Sequence, residues 1–238
     1  MDETTDALAH ALRDVRQQVD NAARSANRPT PRLLAVSKTQ PAARIAALAA
    51  AGQHAFGENY VQEAATKIAE LGPLGLEWHL IGHLQSNKAK DAATLFDWVQ
   101  TVDRDKLVTA LARHRDAARP PLNVLVQVNI DDEASKHGCQ PDEVAPLAAA
   151  IAAEPRLRLR GLMAIPTPWP DLERRRSAFA QVRRLYDGMQ ATHPGVDTLS
   201  MGMSEDLTVA IAEGATMVRV GTALFGRRPA TTQPQDAP

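Results

Sequence analysis

One lysine occupies a position where its amine could do chemistry. Lys38 follows the uncharged apolar run 33–37, and Pro41 comes three residues later. The run predicts a β-strand, and Pro41 is typical of the first turn of a following helix. A lysine amine that is partly buried has a lowered pKa and can form imines with carbonyl compounds. Lys38 is therefore a candidate nucleophile at the carboxyl end of a strand.

A second group of candidate residues lies near the other end of the chain. Two predicted strands there run into Gly202 and Ser204, and into Gly221 and Thr222. Glycine lets the backbone approach a ligand closely, and helix-end amides bind anions. We predict a phosphate site here, with Ser204 also acting as the N-cap of the next helix. An imine-forming amine and a distant phosphate site together suggest pyridoxal 5'-phosphate (PLP).

These residues must be positioned by a regular alternation of strands and helices. Strands are predicted at residues 33–37, 54–57, 77–81, 98–101, 122–130, 157–164, 198–201 and 217–220. Helices are predicted at residues 41–51, 59–71, 86–95, 104–117, 141–153, 171–190 and 205–213, with a short terminal turn after the last strand. Strict alternation predicts a parallel sheet, and eight repeats in about 200 residues fit a small (β/α)8 barrel. No Gly-rich dinucleotide fingerprint follows a strand, which disfavours the alternative of a doubly wound open sheet.

An extra helix precedes the first strand. Apolar residues recur every three or four positions in residues 5–26, which predicts one amphipathic helix. We expect residues 1–228 to form the barrel with this helix, which leaves no room for a second domain. Residues 229–238 are predicted to be a disordered tail.

Composition excludes other classes of function. The chain is 44% hydrophobic and 23% charged with a net charge of -1, so bulk attraction to nucleic acid or acidic membranes is not expected. The one cysteine, Cys139, allows no intrachain disulfide and no cysteine metal cluster. The polar, acidic N-terminus is unlike a signal peptide, and no apolar run is long enough to cross a bilayer. A cytoplasmic protein is expected.

A barrel collects the carboxyl ends of its strands on one face, here called the mouth. Because the last strand closes on the first, Arg219 is expected near Lys38 together with the predicted phosphate site. Asn59, His83 and Met163 lie at the ends of other predicted strands and are further candidates for the mouth. His79, inside a strand, is expected to be a hydrogen-bonded core histidine. Neither histidine has partners at a metal-binding spacing.

Five sequence blocks resemble the pyridoxal phosphate homeostasis proteins. They stand in that family's order and span about residues 33–226. The blocks are Ala35-Val36-Ser37-Lys38-Thr39, Gly57-Glu58-Asn59-Tyr60-Val61-Gln62-Glu63, Trp78-His79-Leu80-Ile81-Gly82-His83-Leu84-Gln85-Ser86-Asn87-Lys88, Ser200-Met201-Gly202-Met203-Ser204 and Val218-Arg219-Val220-Gly221-Thr222. Leu80 departs from the pattern, since many members have an aromatic residue there, but this is an apolar exchange.

The resemblance implies a fold-type III PLP barrel, similar to the N-terminal domain of alanine racemases. It implies that Lys38 carries PLP as an internal aldimine and that Arg219 approaches the pyridine nitrogen. A nearby guanidinium disfavours protonation of that nitrogen, because like charges repel. The residues implied for the phosphate are Ser204, Gly221 and Thr222. The residues implied as ring neighbours are Asn59, His83 and Met163.

Three hypotheses for function follow. The resemblance implies a non-catalytic carrier or buffer that holds PLP and hands it to apo-enzymes. A small PLP-dependent racemase or lyase is the alternative; it would need an acid-base residue opposite Lys38, for which His83 is the candidate. Both tyrosines, Tyr60 and Tyr186, fall on predicted helices. A Schiff-base aldolase without PLP is the third hypothesis. A monomer is expected, because the second domain of racemase dimers is missing.

Overall fold

The computed structural model describes residues 3–131 and 136–226, with side chains described from residue 5 onward. In this part of the chain, eight parallel strands form a closed barrel in sequence order. The strands are β1 Arg32–Val36, β2 Ala55–Glu58, β3 Glu77–Leu80, β4 Trp98–Val102, β5 Leu122–Val128, β6 Leu157–Ala164, β7 Thr198–Ser200 and β8 Met217–Val220. The predicted (β/α)8 barrel is therefore confirmed.

Helices follow the strands and surround the barrel. They are α1 Glu3–Ser25, α2 Ala42–Ala50, α3 Val61–Leu71, α4 Ala89–Leu95, α5 Asp105–His114, α6 Val144–Ala152, α7 Leu172–Thr192, α8 Leu207–Ala212 and α9 Thr222–Phe225. Short 3-10 turns occupy Gly72–Leu74, Ser86–Lys88 and Pro141–Glu143. The last two replace the first residues of two predicted α-helices. The four-residue α9 is the expected terminal turn.

The N-terminal helix covers the closure of the barrel. It contacts α2, α8 and α9, which are the first and last helices of the ring. Its apolar stripe is buried and consists of Leu8, Leu12, Val15, Val19 and Ala22. Burial of a Leu or Val side chain stabilises a fold by about 1.5–3 kcal/mol. The extra helix is thus part of the hydrophobic core, as its periodicity predicts.

Strand β8 pairs with β1 and brings the two ends of the chain together. The parallel register aligns Leu34 with Arg219 and Ala35 with Val220. Both strands therefore end at the same level of the mouth. This pairing is what places the turn after β1 beside the turn after β8.

Two predicted boundaries are wrong for identifiable reasons. Strand β5 was expected to reach Ile130 but ends at Val128. The chain returns there, because the amide of Asn129 donates to the carbonyl of Cys139, and the amide of Cys139 donates to Gln127. Pro41 lies just before α2 in an extended conformation, at the N-cap and not in the first turn. Proline still fits, since it cannot donate a backbone hydrogen bond.

Among the described helices, none is both long and apolar enough to span a bilayer. The barrel was predicted to extend to residue 228, and 227 and 228 lie outside the described residues. The predicted tail, 229–238, lies outside them as well.

Candidate functional site

Lys38 lies at the mouth beside the turn after β8. A Cβ atom added to Gly221 would lie 3.4 Å from both the Cβ and the carbonyl oxygen of Val36, so these two backbones nearly touch. Lys38 is half-buried and stands two residues beyond Val36. Thr222, the first residue of α9, is exposed. The structure thus brings Lys38, Gly221 and Thr222 to one side of the mouth, as expected from barrel closure.

The turn that carries Lys38 is attached to its neighbours on both sides. The amide of Ser37 donates to the carbonyl of Gly57 at 2.9 Å. Its hydroxyl donates to Glu58 Oε1 at 2.5 Å. After the lysine, the amide of Thr39 donates to Glu63 Oε1 at 2.5 Å. Thr39 has a φ of 64°, a conformation that β-branched residues rarely adopt. The backbone on either side of Lys38 is therefore held in a strained, well-defined turn.

A buried lysine of α3 joins these contacts. The Nζ atom of Lys67 donates to the carbonyl of Ser37 at 2.8 Å, to Glu58 Oε1 at 2.8 Å and to Glu63 Oε1 at 2.6 Å. The side chains of Lys67 and Glu58 are 8% and 0% exposed. Burial raises the pKa of Glu58, while its bonds from Lys67 and Ser37 lower it. We call Ser37, Glu58, Glu63 and Lys67 the turn clamp.

The turn after β7 needs a glycine. Gly202 has a φ of 90°, and a Cβ atom there would lie 2.5 Å from the Cβ of Ala210. Its carbonyl accepts a hydrogen bond from the amide of Arg219 at 3.0 Å. This contact ties the turn to β8 and keeps both turns at the same level. The mouth therefore contains two closely packed turns, one after β7 and one after β8, that lie side by side.

Ser204 lies in this turn and is half-buried, but its expected role as a helix cap is wrong. Helix α8 begins at Leu207, so Asp206 is the N-cap residue. The carboxylate of Asp206 accepts a hydrogen bond from the amide of Met203 at 2.5 Å. Because Asp206 closes the turn, the hydroxyl of Ser204 is not used to cap α8.

Arg219 is a buried cation, 3% exposed, whose side chain contacts the last residues of β7 and β6. Its guanidinium donates to Ser200 Oγ at 2.7 Å and to the carbonyl of Ala164 at 2.9 Å. Burial lowers its pKa to about 10, and the charge of Asp206 opposes that shift. Among the described residues, these two hydrogen bonds use two of the five N–H groups of the guanidinium. It therefore keeps donors for a ligand.

A cavity of about 270 Å³ occupies the side of the mouth formed by β2, β3, β5 and β6. Asn59 and His83 line it, together with Gln127, Asn129 and His137. The rings of His83 and His137 are stacked with centroids 3.7 Å apart. Burial and the neighbouring His137 lower the pKa of His83. Within the described part of the chain, Gln127 Oε1 is buried and accepts no hydrogen bond.

Met163 and His79 lie inside the barrel and not at its surface. Met163 is fully buried and packs with Trp98 and Leu125. His79 is also fully buried, with hydrogen bonds to Glu77 and Gln100. The expectation that His79 is a satisfied core histidine is confirmed.

Sequence reasoning missed most of the residues that support the site. The turn clamp, Gln100, Ser200 and His137 were not predicted to have roles. Only Glu63 and Lys67 carry a signal, because their spacing of four on a helix predicts an ion pair. That spacing alone suggests a pair in solvent, so it does not reveal the buried position of Lys67.

Comparisons with known proteins agree with the geometry of the barrel. The family model for the alanine racemase N-terminal domain matches residues 6–229. Alanine racemase of Corynebacterium glutamicum superposes with a TM-score of 0.69 at 18% identity, over 96% of this chain and 62% of that one. The likeness at this identity is one of fold. The fold and its mouth define a barrel of the alanine racemase N-terminal type.

Two relatives share about half of the sequence. The pyridoxal phosphate homeostasis protein of Escherichia coli is 52% identical over 226 residues, covering 93% of this chain and 97% of that protein. The protein of the same name from Pseudomonas aeruginosa is 51% identical, covering 93% and 96%. PipY of Synechococcus elongatus, solved with PLP bound, superposes with a TM-score of 0.81 at 38% identity, over 92% of this chain and all of that one. The chain belongs to the family of pyridoxal phosphate homeostasis proteins.

Proposed function

We propose that this protein binds PLP through Lys38 and acts in PLP homeostasis as a carrier or buffer. The observation that carries the proposal is the position of Lys38. It is half-buried on a clamped turn, beside Gly221 and on the same face as the donors of Arg219. Bound PLP would supply an aldehyde that condenses with the Lys38 amine to an imine with loss of water. The relatives that share about half of the sequence are named for the same role.

The residues present fit such a cofactor. We propose that the phosphate binds at the turns that carry Ser204 and Gly221, where the hydroxyls of Ser204 and Thr222 are suited to donate to it. The buried guanidinium of Arg219 is suited to face the ring nitrogen. We propose Asn59, His83 and Met163 as neighbours of the ring; for Met163 this means contact from inside the barrel.

A carrier is favoured over an enzyme because the relatives that share about half of the sequence are named for PLP homeostasis and not for a reaction. The other candidate function is a small racemase or lyase, with His83 as the opposing group. His83 is exposed as a residue, but its ring stacks on His137. The partial burial of the ring and the neighbouring His137 lower the pKa of His83. Tyr60 was expected in a helix but lies just before α3 and is 61% exposed. We propose that neither residue supports turnover, and that the recipients of PLP are apo-enzymes.

The experiment is reduction of the purified protein with borohydride after incubation with PLP, followed by peptide mapping. We expect a visible band that disappears on reduction and a pyridoxyl adduct on Lys38. Lys38→Ala should fold normally and form no adduct, and Lys106→Ala, at an exposed position of α5, should behave like the unchanged protein. An adduct that persists in Lys38→Ala would refute the proposal.

A second assay separates the carrier from the enzyme. The protein is incubated for a long period with a panel of amino acids, and racemisation and loss of substrate are measured. No turnover supports the carrier. Turnover that is abolished in both Lys38→Ala and His83→Ala would establish the racemase or lyase instead. A phosphorylated sugar trapped on Lys38, with no affinity for PLP, would establish the third hypothesis, a Schiff-base aldolase.

A further inference from the structure

A chain of hydrogen-bonded side chains runs through the barrel interior from Arg219. Arg219 donates to Ser200 Oγ at 2.7 Å, and Ser200 Oγ donates to Gln100 Oε1 at 2.7 Å. Gln100 Nε2 lies 2.9 Å from His79 Nδ1, and His79 Nε2 lies 2.7 Å from Glu77 Oε1. Ser200, Gln100 and His79 are each fully buried. We call this set the interior chain.

The direction of every hydrogen bond in the interior chain follows from Arg219. A guanidinium can only donate, so Ser200 accepts from it and gives its own proton to Gln100 Oε1. The amide nitrogen of Gln100 must then donate to His79 Nδ1. His79 is left with its proton on Nε2, which donates to Glu77. Burial lowers the pKa of His79 and keeps the ring neutral, in agreement with this tautomer.

The interior chain ends at Glu77, a carboxylate that is partly accessible to solvent. Glu77 is 34% exposed and forms an ion pair with Arg32 at 2.7 Å. Burial tends to raise the pKa of Glu77, but the hydrogen bonds from His79 and Arg32 and the charge of Arg32 lower it below its ordinary value. Among the described residues no carboxylate lies within ion-pair distance of Arg219, so its side-chain contacts are neutral oxygen atoms. Its orientation therefore depends on acceptors that are themselves held in place.

We propose that Ser200 and Gln100 are positioning residues that hold the guanidinium of Arg219 toward the ring nitrogen of bound PLP. The inference rests on the proposed function and adds to it the residues that fix the electronic state of the ring. Two acceptors hold the guanidinium, the Ala164 carbonyl and Ser200 Oγ, and Ser200 is the one that is held in turn by a side chain, Gln100. A guanidinium fixed at the ring nitrogen disfavours a proton there, so the interior chain would keep that nitrogen unprotonated.

Gln53 provides a matched control for Gln100. It is also a buried glutamine, 3% exposed, whose amide donates to the carbonyls of Leu33 and Ala55 at 2.9 and 2.8 Å. Among the described residues it makes no hydrogen bond to the interior chain. Gln53→Leu should therefore lower stability as Gln100→Leu does, without affecting Arg219.

The test compares Ser200→Ala, Gln100→Leu and Gln53→Leu. PLP affinity is measured by titration, and protonation of the ring by the pH dependence of the visible band. Ser200→Ala removes one oxygen atom, so it is the variant best able to fold. We expect it to weaken PLP binding about tenfold, because a hydrogen bond to a charged group is lost. The pH-dependent change of the band should move to higher pH in Ser200→Ala and Gln100→Leu only.

A second readout needs no bound cofactor. Nitrogen NMR of the histidine rings should find His79 protonated on Nε2 in the unchanged protein and in Gln53→Leu. In Gln100→Leu, which removes the donor to Nδ1, both tautomers should be detectable. The proposal is overturned if Ser200→Ala and Gln100→Leu match Gln53→Leu in affinity and in the pH dependence of the band. If the variants do match in this way, an adduct on Lys38 in all three would show that the role of the interior chain is refuted while the proposed PLP binding stands.

Discussion

The Nζ atom of Lys67 lies 2.8 Å from the carbonyl oxygen of Ser37, the residue that precedes Lys38. The buried Lys67 thus fixes the backbone next to Lys38, the candidate nucleophile. The same Nζ bonds to Glu58 and Glu63, and these two carboxylates contact the turn on either side of Lys38. Helix α3 and strand β2 therefore fix the direction from which Lys38 enters the mouth.

Replacing Lys67 should damage both stability and the site. Lys67→Met leaves Glu58 buried without its cation, which typically costs about 3–5 kcal/mol. The turn also loses the contact to the Ser37 carbonyl, so formation of the PLP adduct at Lys38 should slow. Urea unfolding measures the first effect and the rate of reducible adduct formation the second. The control is Lys106→Met on the exposed face of α5, and equal stability of the two variants would contradict the role of the clamp.

Gly202 should not tolerate a side chain. Gly202→Ala would place a Cβ atom 2.5 Å from that of Ala210, at a residue whose φ is 90°. Strain of this kind costs about 1–3 kcal/mol before the steric clash is added. Gly188 is a useful control, because it lies in α7 with no atom within 4 Å of an added Cβ.

Gly188→Ala should raise the free energy of unfolding by about 0.5–1 kcal/mol, since alanine is the better helix former. Thermal unfolding should therefore show that Gly202→Ala is less stable, and Gly188→Ala more stable, than the unchanged protein. A Gly202→Ala protein as stable as Gly188→Ala would mean that the turn after β7 can rearrange freely.

The fold could be predicted from the sequence more fully than the site. Apolar runs and helical stretches predicted eight repeats, and closure of β8 on β1 then placed Lys38 beside Gly221. The interior chain could not be predicted, because a barrel brings together side chains that are far apart in sequence, such as Gln100 and Ser200. A polar residue inside a strand indicates a special position, but its spacing does not reveal its partner.

Lys67 was missed for a different reason. On a helix surface a lysine is usually solvated, and its pattern with Glu63 is typical of an exposed pair. Lys67 is buried because it contacts the buried side chain of Glu58. Tertiary packing forms that contact, and the spacing of residues along the chain does not show it. The N-cap role expected for Ser204 was wrong because α8 begins at Leu207, two residues later than expected, and Asp206 occupies the N-cap position.

The hydroxyls near the mouth should contribute to affinity and not to the covalent link. Ser204→Ala and Thr222→Ala are each expected to weaken PLP binding by about 1–3 kcal/mol if they donate to the phosphate. Pyridoxal, which lacks the phosphate, should bind equally to the variants and to the unchanged protein. Titrations with both compounds test this, and a PLP affinity unaffected by either substitution would move the phosphate site elsewhere.

Acid should destabilise the protein through His79. Burial lowers the pKa of His79 below its ordinary value of 6.5, so the folded state keeps the ring neutral while the unfolded chain takes up a proton. The stability contributed by the neutral ring is therefore present above pH 6.5 and lost as the pH falls below it. One proton corresponds to about 1.4 kcal/mol per pH unit. Urea unfolding between pH 7 and 5 should give a smaller slope for His79→Gln than for the unchanged protein. His54→Gln, which removes an exposed histidine, is the control. Identical slopes for the two variants would mean that folding does not lower the pKa of His79.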